Sequence, residues 1–117
     1  MIYTSKKISY SKGPIQWHET IEPKKTWYLD WTAVSFGDEP LELDETVMLP
    51  DTGTSFISLP EKTMEHLLGI MHETYGTGKP RLYPVGLWGA RCTKEQFDMM
   101  PDLKFTIDQT TYIISKH

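Results

Sequence analysis

The segment Asp51-Thr52-Gly53-Thr54-Ser55 constrains this chain more than any other stretch. Apolar residues flank it on both sides, Val47-Met48-Leu49 before and Phe56-Ile57-Ser58-Leu59 after. A Gly-containing loop between two apolar runs reads as a tight connection between two strands, with a carboxylate at its mouth. From average residue usage, Asp-Thr-Gly by itself arises by chance in roughly one chain in forty of this length. The longer string between two apolar runs is far rarer, so the context adds what the tripeptide lacks. Asp and Gly also suit an ordinary turn in which the Asp side chain bonds its own backbone.

With 117 residues the chain is long enough for one domain and short for two, so residues 1–117 are read as a single domain. A hydrophobic content of 38% and a mean hydropathy of −0.43 suit a soluble globular domain rather than a disordered or membrane-embedded one. No window approaches the run of apolar residues that a transmembrane helix needs. The N-terminal Met1-Ile2-Tyr3-Thr4-Ser5-Lys6-Lys7 lacks the apolar core of a signal peptide, so this chain shows no address of its own. A net charge of −4, with basic pairs only at Lys6-Lys7 and Lys24-Lys25, argues against a nucleic-acid partner. The single cysteine, Cys92, rules out an internal disulfide or a Cys-rich zinc site, and is expected to be a small buried hydrophobe.

Between turn signals the pattern is mostly of period two. Trp27–Phe36 is the longest strand expected, with Trp27, Leu29, Trp31 and Ala33 on one face, so Trp27 and Trp31 are assigned to the core. A turn at Gly37–Pro40 leads into Leu41-Glu42-Leu43, which can pair back as a hairpin. A second hairpin is expected from Leu103–Ile107 through a turn at Asp108-Gln109 to Tyr112-Ile113-Ile114. One helix stands out: Pro60 suits a first helical position, Met64, Leu67, Leu68 and Met71 form an apolar stripe, and Gly76 is a natural stop. Thr93-Lys94-Glu95-Gln96 has capping-box spacing and predicts a short helical turn.

Other chemistry is excluded by spacing. His66 and His72 do not share a helix face, and His72-Glu73 lacks the second His of a zinc-protease helix, since position 76 is Gly. Gly76-Thr77-Gly78-Lys79-Pro80 is a turn rather than a phosphate loop, because Pro80 stands where Ser or Thr would hold magnesium. Glu42, Asp44 and Glu45 read as a solvated acidic loop. No metal or organic cofactor is implied.

In their order these features resemble the C-terminal lobe of pepsin-like aspartic proteases. Tyr10–Trp17 looks like the segment that opens that lobe, Trp27-Tyr28-Leu29 like its next strand, and Phe36-Gly37 like its hairpin turn. Asp51–Ser55 matches the second catalytic motif residue for residue, and Phe56–Pro60 looks like the passage from strand to helix. Met100-Pro101-Asp102-Leu103 and the following strand resemble a late element of the family. The resemblance implies a mainly β fold, one half of a bilobal acid protease, incomplete at its C-terminus, with one substantial helix after the catalytic loop. It also implies that Asp51 is one of two catalytic aspartates, with Thr52, Gly53 and Thr54 forming the active-site loop. Gly53 would let its backbone approach the carboxylate, Thr54 would help lock two such loops together, and Ser55 would lie near bound substrate. A secretory, extracellular or lysosomal/vacuolar setting follows from the resemblance alone.

Peptide hydrolysis of this kind uses one carboxylate as general base toward water and one protonated carboxyl as acid toward the carbonyl oxygen. This chain has one Asp-Thr-Gly, so it holds half a site. The expected partners are a peptide or protein substrate and an N-terminal lobe, or a second chain, that brings the other aspartate. These residues alone are expected to be inactive. Two departures stand out: Pro50 precedes Asp51, so the strand there must lie at an edge or end early, and Cys92 sits where the family often has half of a disulfide whose partner this chain lacks. Two other readings compete. A protease-like domain kept for binding or assembly is one. A homodimeric, retroviral-type protease, with Leu87-Trp88-Gly89 packed beneath the loop, is the other.

Overall fold

Four antiparallel strands form the main sheet, and the strongly apolar residues of the chain converge on it. The computed structural model describes residues 13–21 and 27–117. Tyr10-Ser11-Lys12 and the lysine pairs at 6–7 and 24–25 lie outside the described residues. In chain order the strands and helices are β1 (Leu29–Asp30), β2 (Ala33–Phe36), β3 (Glu39–Pro40), β4 (Val47–Met48), α1 (Glu61–Tyr75), β5 (Arg81–Leu82), β6 (Trp88–Gly89), α2 (Lys94–Met99), β7 (Leu103–Ile107) and β8 (Thr110–Ile114). The main sheet runs β3-β2-β7-β8, while β1 pairs with β4 and β5 with β6 in two small separate ladders. The architecture is mainly β with one substantial helix after the Asp51 loop, as the sequence pattern implies.

The long strand expected over 27–36 is two strands in different sheets. Trp31 donates its backbone N–H to Thr46 at 2.8 Å, whereas Thr32 donates to Thr106 at 3.0 Å. The chain therefore changes partners between these neighbours, and the alternation is reset. Trp31, Val34 and Phe36 are buried, but Ala33 is exposed and Trp27, expected in the core, is 77% exposed. Trp31 is fixed further by its indole N–H, which donates to the Glu45 carbonyl at 2.7 Å.

The first hairpin turns at Gly37-Asp38 and pairs Phe36 with Glu39 and Ser35 with Pro40, with one further bond from Leu41 N–H to Val34 O. Pro40 is tolerated because β3 is an edge strand. Gly37 has φ +61, and a Cβ there would stand 2.7 Å from the Pro101 side chain, so both backbone and space require glycine. The second hairpin matches its expected turn, with β8 beginning two residues earlier, at Thr110. Asp108 and Gln109 both have positive φ, the backbone of a tight turn that follows the strands' twist.

α1 starts after Pro60 and ends where Gly76 enters the left-handed region. Its buried positions are Thr63, Leu67 and Leu68. Leu67, with Ile70, Met71 and Tyr75, packs on the core beside Val34 and Phe36, and the Tyr75 ring meets Phe36 edge-on at 5.8 Å. Met64 and Leu68 instead line a groove shared with Pro80 and Trp88. The acidic stretch before the motif has exposed side chains, as expected. Its backbone is tied to α1, where the Thr63 hydroxyl donates to Glu42 O and Glu42 N–H donates to His66 Nδ1.

α2 is opened by the predicted capping box. Thr93 Oγ1 accepts from Gln96 N–H at 3.1 Å, and Thr93 N–H donates to Gln96 Oε1 at 2.8 Å. Its far end is held by Lys116, whose ammonium donates to the carbonyls of Phe97, Asp98 and Met100. Cys92, expected to be buried, is exposed, because it lies in the irregular stretch between β6 and α2.

Candidate active site

β4 ends at Met48, three residues before Asp51, in keeping with the proline at position 50. The chain then turns at Thr52-Gly53 and folds the Asp51 side chain back over its own loop. Gly53 N–H donates to Asp51 Oδ1 at 2.9 Å, and the Thr54 hydroxyl donates to Oδ2 at 2.7 Å. Thr54 N–H closes the loop onto the Asp51 carbonyl at 3.2 Å. This is an Asx turn in which both carboxylate oxygens are engaged. A Cβ at Gly53 would lie 3.2 Å from Oδ1, so a larger residue there would press the carboxylate aside by a small amount.

The electrostatics follow from the bonding. Thr54's hydroxyl, and after it the Gly53 N–H, favour the charged carboxylate and hold Asp51 below the ordinary range for an aspartate. Alone, this group is an ionised base with no proton to give.

Asp51, Thr54 and Ser55 stand at the rim of an open groove of about 900 Å³ whose walls include Phe56, Phe105 and Ile107. Phe56–Leu59, expected as a strand, is not one: no strand among the described residues pairs with it, and Phe56 is 62% exposed. The groove therefore presents apolar surface beside the carboxylate.

At another wall lies a cluster that the sequence did not suggest. His18 Nδ1 meets Asp108 Oδ2 at 2.8 Å, its Nε2 meets the Tyr112 hydroxyl, and the two rings stand edge to face at 5.6 Å. Some ninety residues separate these partners along the chain, so no local signal pointed to them. Leu87-Trp88-Gly89 is not among the residues that line the groove at Asp51. It lies in the β5–β6 ladder, where Trp88 pairs with Leu82.

The family model described as eukaryotic aspartyl protease matches residues 3–117. The chain belongs to that family. Among curated proteins it is similar to vacuolar protease A of Aspergillus fumigatus, 32% identical over 94 residues, which is 80% of this chain and 21% of that protein. A vacuolar aspartic protease of Candida albicans is 34% identical over 98 residues, 84% of this chain and 21% of that protein. A probable vacuolar protease A of Trichophyton verrucosum is 31% identical over 94 residues, with the same shares as the Aspergillus protein. The chain thus spans about a fifth of the length of the curated relatives it matches. No solved structure matches it.

Proposed function

We propose that this aspartyl-protease chain is most of a C-terminal lobe and supplies Asp51 as one of two aspartates that hydrolyse peptide bonds in acid. The observation that carries the reading is the Asp51 carboxylate, oriented by Gly53 and Thr54 at the rim of an apolar groove. A carboxylate held ionised is suited to take a proton from water. The step also needs a proton donor toward the substrate carbonyl, and a second aspartate within about 3 Å becomes one, because two such groups cannot both ionise easily. The pair then titrates as a unit on the acid side of neutrality. Peptide fits the groove's apolar walls, with Ser55 beside it and the second aspartate brought by another lobe. The vacuolar names of the relatives support a vacuolar or secretory-pathway setting.

The test is Asp51→Asn in the protein assembled with its second aspartate. Acid proteolysis is expected to fall to background while the far-UV circular dichroism stays unchanged. Retained cleavage would overturn the assignment. A non-catalytic descendant used for contact is favoured by one observation: the short β4 and Pro50 leave the loop weakly anchored on its N-terminal side. A complete gene with no second catalytic aspartate would select that reading. The homodimeric, retroviral-type reading has less support, given where Leu87-Trp88-Gly89 lies.

A further inference from the structure

One face of α1 is turned to an open groove rather than to the core. Glu61, Met64, Glu65, Leu68 and Gly69 recur at helical spacing, and all five line that groove. Pro80 and Trp88 line it as well, and Trp88 is more than half exposed. Its volume of about 450 Å³ is ample for a buried side chain.

Charge says what kind of partner fits. Glu61 and Glu65, one helical turn apart, are the lining residues that ionise, and no Lys, Arg or His lines the groove. Among the described residues neither glutamate has a cationic partner. Lys62 and Lys79 adjoin lining residues in the chain without lining the groove themselves.

Gly69 is a second, independent observation. Glycine in a helix interior is disfavoured against alanine, and this chain gives no reason for it. Its φ is not positive, and a Cβ there would meet nothing within 4 Å. The missing side chain leaves the groove open close to the helix backbone, where only an incoming group could use the space.

We infer that this groove docks a basic segment of another protein, with one apolar side chain over Gly69 and flanking Lys or Arg side chains at Glu61 and Glu65. The exposed Trp88 gives that apolar side chain an aromatic wall, the kind of surface that anchors protein contacts. Two carboxylates a turn apart match two separate charges on a segment better than one small cation. This inference stands apart from the Asp51 reading and survives its failure.

The test is calorimetric titration of the full chain with the capped peptide Lys-Lys-Leu-Lys-Lys. Binding is expected, and it is expected to weaken as salt rises. Serine in place of the peptide's leucine should weaken it by about tenfold or more. The peptide Glu-Glu-Leu-Glu-Glu should not bind. Glu61→Gln with Glu65→Gln should weaken binding about tenfold, since each exposed pair contributes about threefold. Gly69→Leu should abolish binding by filling the groove. That variant is expected to fold, because leucine favours a helix and its Cβ meets open space. Circular dichroism checks each variant, and if leucine disturbs the fold, Gly69→Ala carries the test with a smaller expected loss. No binding, or binding indifferent to these variants, overturns the inference. So does equal binding of the acidic peptide, which would assign the surface to Lys62 and Lys79. Self-association of the chain that the Gln pair abolishes would overturn it too, by making the occupant a second copy.

Discussion

Val34-Ser35-Phe36 and Phe56-Ile57-Ser58 are both short apolar runs, yet the first lies in the core and the second stands in solvent. Their composition hardly differs. What differs is the neighbourhood. β2 has β7 on one side and β3 on the other, and Leu67 and Tyr75 of α1 join the same apolar cluster. The run after the Asp51 loop has no paired strand among the described residues and borders an open groove. Burial is thus decided by available partners, and the apolar flank of the loop is suited to receive further protein or substrate.

The widest gap between the two regions is expected on truncation of an aromatic ring. Phe36→Ala should cost about 3–5 kcal/mol, because it empties a packed site, while Phe56→Ala should cost less than about 1 kcal/mol. Urea unfolding of both variants measures this, and similar midpoints would break the comparison. A smaller contrast lies between two local networks. Thr93→Ala removes the N-cap of α2 and should cost about 1 kcal/mol in the same assay. No loss there would mean that α2 is held from its other end.

The smallest expected effect is electrostatic. Thr54→Val removes the main cause that depresses the Asp51 proton affinity, so its carboxyl should titrate closer to an ordinary aspartate. Carbon-detected NMR against pH reads it directly. The sign follows from linkage: a depressed aspartate adds stability above its unfolded pKa and loses it as pH falls through the lower folded value. The variant should therefore lose less stability on the acid side than the parent. An unmoved titration would mean that Gly53 alone sets the value.

Local chemistry was legible in the sequence. Thr93 and Gln96 declared their capping box, Pro60 and Gly76 bounded α1, and Asp108-Gln109 marked a tight turn. Pairing over distance was not. The break between Trp31 and Thr32 depends on Thr46 and Thr106, and period-two alternation cannot report a change of sheet. For the same reason alternation puts Trp27 on the core face and reads Phe56–Leu59 as a strand, whereas the structure exposes the first and leaves the second unpaired among the described residues. At the candidate site the Asp51 motif was visible as a string, and its Asx turn follows from adjacent residues. His18 was silent, since its partners Asp108 and Tyr112 come from the other end of the chain.

Lys116 also joins two elements that are not neighbours in the sheet. Its ammonium reaches three carbonyls around the end of α2 and lies 5.3 Å from the Phe97 ring, while its backbone N–H donates to Asp102. One side chain thereby clasps the segment after β8 onto the end of α2. Replacing the ammonium, as in Lys116→Met, should let α2 fray from that end, read as faster amide exchange at Met99 and Met100.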